Sequence, residues 1–172
     1  IKNLLIHVVP ASSTLPILEG FETYSTLSNI EEWTINNGSG NGFELATSSG
    51  LNSTNCARLR NIGQTPGDLD EIESAPIDLS NISQVTLSFR YAHKRRNTSD
   101  ADKLRLSITN NCGDAWAIRR TLLLANESSV QSTNFVPSTE NDWTTVHVTN
   151  ITGSYLVDNF RYKFSFEGGG GN

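Results

Sequence analysis

The residues of this chain whose types suit chemistry are few. It has three histidines, His7, His93 and His147, and two cysteines, Cys56 and Cys112. Its densest acidic stretch is DLDEIES, residues 68–74. A zinc hydrolase needs ligands at fixed spacing, such as His-Glu-x-x-His on a helix. No two histidines stand close in sequence, so structural or exposed roles are expected for all three. Thiol catalysis needs a thiolate held by a base in an electropositive pocket. Asp114 lies beside Cys112 and disfavours its thiolate, and no base accompanies Cys56. The two cysteines either form one disulfide or remain thiols.

A glycosidase needs two carboxylates on either side of the scissile bond. DLDEIES resembles the acid cluster of the lectin-like glucanases, in which a Glu, an Asp and a second Glu alternate on one strand face. Here Asp68 and Asp70 share one parity and Glu71 and Glu73 share the other, so the alternating series is missing. No catalytic residues are assigned. Calcium is the most plausible ion, because oxygen-rich loops hold it. Candidate oxygen ligands are Glu19 and Glu22 in LEGFE, the loop NNGSGNG (36–42), Asp100 and Asp102. Trp33, Trp116 and Trp143 each precede or open an expected strand. They either stack on sugars or close the core.

The elements that must position these residues read as strands. In VTLSFRYA, Val85, Leu87, Phe89 and Tyr91 share a face. In KLRLSIT, Leu104, Leu106 and Ile108 point inward. In FRYKFSF, Phe160, Tyr162, Phe164 and Phe166 point inward against Arg161, Lys163 and Ser165. In WTTVHVT, Val146 and Val148 oppose Thr145 and His147. One apolar and one polar face per strand predicts two antiparallel sheets packed face to face, an all-β antiparallel β-sandwich of jelly-roll type. TNNCGDAWAIRR (109–120) reads as a hairpin. Its Asn110, Asn111, Gly113 and Asp114 supply the turn, and Trp116 and Ile118 open the inward face of the returning strand.

Composition fits this picture. The chain has 172 residues, a net charge of −5 and no methionine. That charge argues against nucleic acid or an anionic membrane as partner, and no apolar run suffices for membrane insertion. The run His93-Lys94-Arg95-Arg96 is expected in a solvated loop. Asn-x-Ser/Thr sequons at Asn37, Asn52, Asn81, Asn97, Asn126 and Asn150 belong on the surface, and the composition favours an extracellular or cell-surface protein. Residues 1–9 read as the end of a preceding module and Pro10–Pro16 as a linker, with the domain starting near Leu15.

The order of landmarks is more specific than any one of them. LPILEGFE (15–22), EEWTINNGSGNGFEL (31–45), GDLDEIESAPIDLS (67–80), VTLSFRYAH (85–93), DKLRLSITNNCGDAW (102–116), FVPSTENDWTTVHV (135–148) and NFRYKFSFEGGGGN (159–172) follow one another. This series resembles the MAM-like or cleaved-adhesin jelly-roll domains. Those occur in secreted proteins of Bacteroidetes-type bacteria, in gingipain haemagglutinin regions and as accessory domains of secreted zinc metalloproteases. Residues 1–9 resemble the last strand of the PKD-type module that often precedes them.

The resemblance implies a non-catalytic module of a secreted protease or adhesin. Such a module serves adhesion or substrate targeting through an extracellular protein or glycan, beside neighbouring domains of the same chain. A carbohydrate-active enzyme and a structural spacer are the alternatives. The resemblance also implies a structural calcium with Glu22, Asn37 and Asp102 as its ligands. Glu22 matches the glutamate of the family's "GFE" and Asp102 the aspartate of its "D-x-L". The chain departs from the pattern in two ways. The loop around Asn37 lacks the usual aspartates, and the closing strand's aspartate pair would lie beyond Asn172.

Overall fold

The computed structural model describes residues 15–39, 41–127 and 129–170. The expected end of a preceding module, with His7 and most of the linker, lies outside them. Nine strands form among the described residues: β1 (Trp33–Asn36), β2 (Phe43–Ala46), β3 (Cys56–Leu59), β4 (Leu69–Ser74), β5 (Leu87–Tyr91), β6 (Lys103–Thr109), β7 (Ala117–Leu123), β8 (Thr144–Val148) and β9 (Arg161–Glu167). Helix among the described residues is limited to single 3-10 turns, such as Glu140–Asp142. No helix among the described residues is long and apolar enough to cross a membrane.

Five strands build one sheet in the order β1-β4-β9-β6-β7, every neighbouring pair antiparallel. The opposite layer consists of two separate pairs, β2-β3 and β5-β8. The expected sandwich therefore forms, with one layer continuous and the other split.

Alternation explains the core. Leu106 and Ile108 of β6, Val146 and Val148 of β8, and Phe160 leading into β9 pack with Ile77, Leu79 and Ile151. Leu87, Phe89 and Tyr91 of β5 lie against them. A second cluster of Leu27, Trp33 and Ile72 sits under β2 and β3, with Phe43, Leu45 and Ala57 packed on it. Tyr162 and Phe164 contribute to both clusters, so β9 joins the two halves of the split layer. Phe164 meets Phe89 edge-on across the sandwich at 4.8 Å between ring centroids, a favoured aromatic geometry.

The β6–β7 hairpin forms, with two corrections. The left-handed positions are Cys112 (φ 60°) and Gly113 (φ 92°). Thr109 Oγ1 holds the turn by accepting from Asn111 N at 3.2 Å and Gly113 N at 3.3 Å. The inward residue of the returning strand is Ala117, opposite Ile108, whereas Ile118 is exposed. Trp116 does not start the inward face. Its ring lies under the Lys163 ammonium, 4.7 Å from the centroid. The face is set by the register against β6, not by the bulk of the side chain.

The run His93–Arg96 is a further correction. These four residues are half-buried rather than solvated. Lys94 donates to Ser129 Oγ at 2.9 Å, and Arg95 bridges to Val130. Asn37, Asn52, Asn81, Asn126 and Asn150 are exposed and Asn97 is half-buried, which places five of the six sequons openly on the surface. Cys56 and Cys112 are both free thiols.

Candidate functional site

The β4 carboxylates follow their parity. Asp70, Ile72 and Ser74 are buried on the inner face, while Glu71 and Glu73 alternate with them on the other. Glu71 Oε1 lies 2.7 Å from Lys163 Nζ and accepts from Ser165 Oγ at 2.7 Å. Glu73 Oε1 lies 2.7 Å from Arg161 Nη1. All four charged side chains of these pairs are largely covered. Glu167 continues the ladder with Lys103 and Arg105, each at 2.7 Å. The carboxylates that resembled a glucanase cluster thus point to opposite faces, and the outward pair is held by cations.

Asp68 and Asp70 reach the Asn-rich loop instead. Asp70 Oδ1 accepts from Gly38 N at 3.0 Å, and Asp68 accepts from Ser39 N at 2.8 Å. Burial raises the pKa of Asp70. The carboxylates missing from the loop sequence are therefore supplied by β4 and the turn before it. Asn37 lies in this loop with its side chain against Gly42.

Glu22 works elsewhere. Its Oε1 accepts from Thr54 N at 3.0 Å and Asn55 N at 2.6 Å, and its Oε2 accepts from Thr54 Oγ1 at 2.6 Å. These donors, the Thr54 hydroxyl first, hold the carboxyl below its usual pKa. In this geometry the donors occupy most of its acceptor capacity, and Glu22 acts as a clamp on the 49–55 loop. The three expected calcium ligands are therefore engaged at three different places.

The clamped loop is one wall of a cleft of about 190 Å³ lined by Ser48–Asn52, Pro137–Glu140 and Trp143. Its opposite wall is also fixed. Asp142 Oδ2 accepts from Ser138 N at 2.9 Å and Thr139 N at 3.0 Å, closing a capping box. Asp142 thus sets one wall directly, and Glu22 acts on the other through Thr54, around a half-buried tryptophan with hydroxyls and Glu140 at the edge. Sequence reasoning listed Trp143 as a stacking candidate. It missed the 48–52 loop, which has no chemical signature of its own.

Asp102 sits in a third arrangement. Asp102 Oδ2 lies 3.2 Å from His93 Nε2, and its Oδ1 accepts from Gly169 N at 2.7 Å and Asn61 Nδ2 at 3.1 Å. His93 Nδ1 lies 2.9 Å from Glu127 Oε2. Burial opposes a charge on His93, but its hydrogen bonds to Asp102 and Glu127 outweigh it and raise its pKa to about 9. Asp100 lies beside this group, and burial followed by the neighbouring Asp102 pushes its pKa up.

The remaining histidine among the described residues, His147, is exposed and lies 2.8 Å from Ser88 Oγ through Nδ1. Of the tryptophans, Trp33 is core, Trp116 lies with Lys163, and Trp143 lines the cleft.

Solved structures share this fold. The K1 cleaved adhesin domain of Lys-gingipain from Porphyromonas gingivalis W83 superposes with a TM-score of 0.58 at 13% identity, covering 87% of this chain and 93% of that one. The K2 domain of Lys-gingipain gives 0.55 at 15% identity over 87% and 95%. The K3 domain, from the same organism, gives 0.55 at 16% identity over 88% of each chain. Neither a protein-family model nor a curated protein matches this chain. The likeness is one of fold, and it agrees with the cleaved-adhesin resemblance read from the order of landmarks.

Proposed function

We propose that this chain is a non-catalytic adhesion or targeting module of a secreted or surface protein, a protease or adhesin, and that the Trp143 cleft is where it meets a glycan. The observation that carries the reading is the cleft itself. Asp142 ties Ser138 and Thr139 of one wall, and the Thr54 carbonyl accepts from Ser49 N and Gly50 N of the other while Glu22 holds Thr54 itself, which lowers the loop-ordering entropy that opposes binding. Its volume is on the scale of one monosaccharide. The lining is mainly polar, with the hydroxyls of Ser48, Ser49, Ser138 and Thr139 and the Glu140 carboxylate around Trp143, which suits the hydroxyls of a sugar.

The paired state of Glu71 and Glu73 supports a binding role over hydrolysis, because a glycosidase needs both members of a carboxylate pair free to face one bond. The exposed sequon asparagines and the adhesin-domain fold support an extracellular setting. The test is a screen of the chain against glycan and matrix-protein arrays, repeated with Trp143→Ala. Binding to a glycan that falls at least about tenfold in the variant, at unchanged melting temperature, is expected. Retained binding in Trp143→Ala moves the contact to another face. Hydrolysis of a β-glucan that disappears in a Glu71/Glu73 double variant overturns the non-catalytic reading.

A further inference from the structure

Four chain segments converge on Asp102. Its carboxylate accepts from Asn61 and Gly169, faces His93, and its backbone carbonyl accepts from Leu124 N at 3.0 Å. Asp100 and Asp102 are each 2% exposed, and Asp100 Oδ1 is buried with no hydrogen-bond partner among the described residues. An orphaned carboxylate oxygen at that depth costs stability unless something positive meets it. One ligand atom from each of His93, Asp100 and Asp102 can be chosen so that all lie within 4.8 Å of one another.

The imidazole geometry narrows what that positive group is. His93 Nδ1 faces Glu127 Oε2 at 2.9 Å and Nε2 faces Asp102 Oδ2 at 3.2 Å, a contact that either a proton on the ring or a cation between the two atoms satisfies. Tetrahedral ligands at about 2.0–2.1 Å from zinc are separated by roughly 3.3 Å, which matches the His93–Asp102 spacing. The wider spacing in the group closes with a shift of roughly 1.5 Å. A carboxylate on the far nitrogen of a ligating histidine is the recurrent support of zinc sites. Imidazole also selects against calcium and magnesium, which take all-oxygen shells.

We propose that His93, Asp100 and Asp102 form a structural site for a zinc-class divalent ion, with Glu127 as the positioning residue for His93. The ion ties together the 61, 93–102, 124–127 and 169 segments at one end of the sandwich. It is a different site from the Glu22 and Asn37 loops, and its chemistry is not that of calcium. Water completes the shell.

The test uses the full chain stripped with chelator. Calorimetric titration with zinc chloride should show one ion per chain and a raised melting temperature, and calcium chloride should not reproduce it. Cobalt substitution should give the intense visible bands of a tetrahedral ion. His93→Gln and Asp100→Asn should each weaken zinc binding at least about 100-fold, and Glu127→Gln roughly 10–100-fold. His147→Ala should leave it unchanged.

Three outcomes overturn the proposal: no zinc binding at millimolar concentration, zinc binding retained in His93→Gln, or calcium bound more tightly than zinc. The wild-type titration and cobalt spectrum decide the matter even where a variant fails to fold. The readout is the ion itself, so it is separate from any failure of the glycan reading.

Discussion

Replacing Lys163 by methionine isolates the ion-pair ladder on the outer face of the large sheet. The substitution keeps the length of the stem and removes the charge. It strands the Glu71 carboxylate, whose side chain is 16% exposed, with Ser165 as its remaining donor. At 2.7 Å the gross attraction is about 6 kcal/mol for an effective dielectric of ~20, most of it offset by desolvation of the two charges. Breaking a fully buried pair from one side costs roughly 3–5 kcal/mol, and the residual exposure here brings that to about 2 kcal/mol. Loss of the ammonium over Trp116 adds roughly 1 kcal/mol.

The expected loss for Lys163→Met is therefore about 3 kcal/mol, or roughly 6–12 °C in melting temperature for a domain of this size. Adding Glu71→Gln removes the stranded charge while keeping an acceptor for Ser165. The double variant should then be more stable than Lys163→Met, with a coupling of about 2 kcal/mol in a double-mutant cycle. Urea denaturation of the four proteins measures this. A loss below about 0.5 kcal/mol, or strictly additive effects, would refute the claim that this face is held by a buried pair.

The other perturbations are smaller. Glu22 has a depressed pKa, so its contribution is fully present above the unfolded value of 4.5 and is lost as pH falls through the lower folded value. Melting temperatures of wild type and Glu22→Gln should differ at pH 7 and converge in acid; a gap independent of pH contradicts the clamp. Cys112→Gly relieves a left-handed conformation at the hairpin and should stabilise by roughly 0.5–1 kcal/mol, measured by denaturation, whereas Cys112→Val should destabilise. A thiol reagent should find two free cysteines in the chain, with Cys112 the faster because it is exposed. A Cβ at Gly169 would overlap the backbone of Ala101 and Asp102, so Gly169→Ala should cost about 2–3 kcal/mol by thermal melting.

Much of the fold was legible because period-two alternation maps directly onto faces. Leu87, Phe89 and Tyr91, Leu106 and Ile108, Val146 and Val148, and Tyr162 and Phe164 lie in the core where alternation puts them. Leu104 and Phe166 lie outside both core clusters, and Ser107 and Ser165 of the opposite parity are buried as well. The failures share a cause. Residue bulk puts Trp116 and Ile118 inward, but the register of β7 on β6 gives that face to Ala117. His93–Arg96 reads as a solvated run because charge is normally exposed. Its partners, Asp102, Glu127 and Ser129, come from other segments that no local pattern links to it.

The sandwich class, the opposite facing of Asp70 and Glu71, and the hairpin at Cys112 are local properties of the chain. These depend on residue type and on neighbours one or two positions away. Which charges meet is set by the folded molecule. Lys163 finds Glu71, Glu22 finds the 54–55 loop, and His93 finds Asp102 and Glu127. Each of those pairings crosses strands or loops, and electrostatic and metal-binding chemistry depends on distances that chain order does not encode.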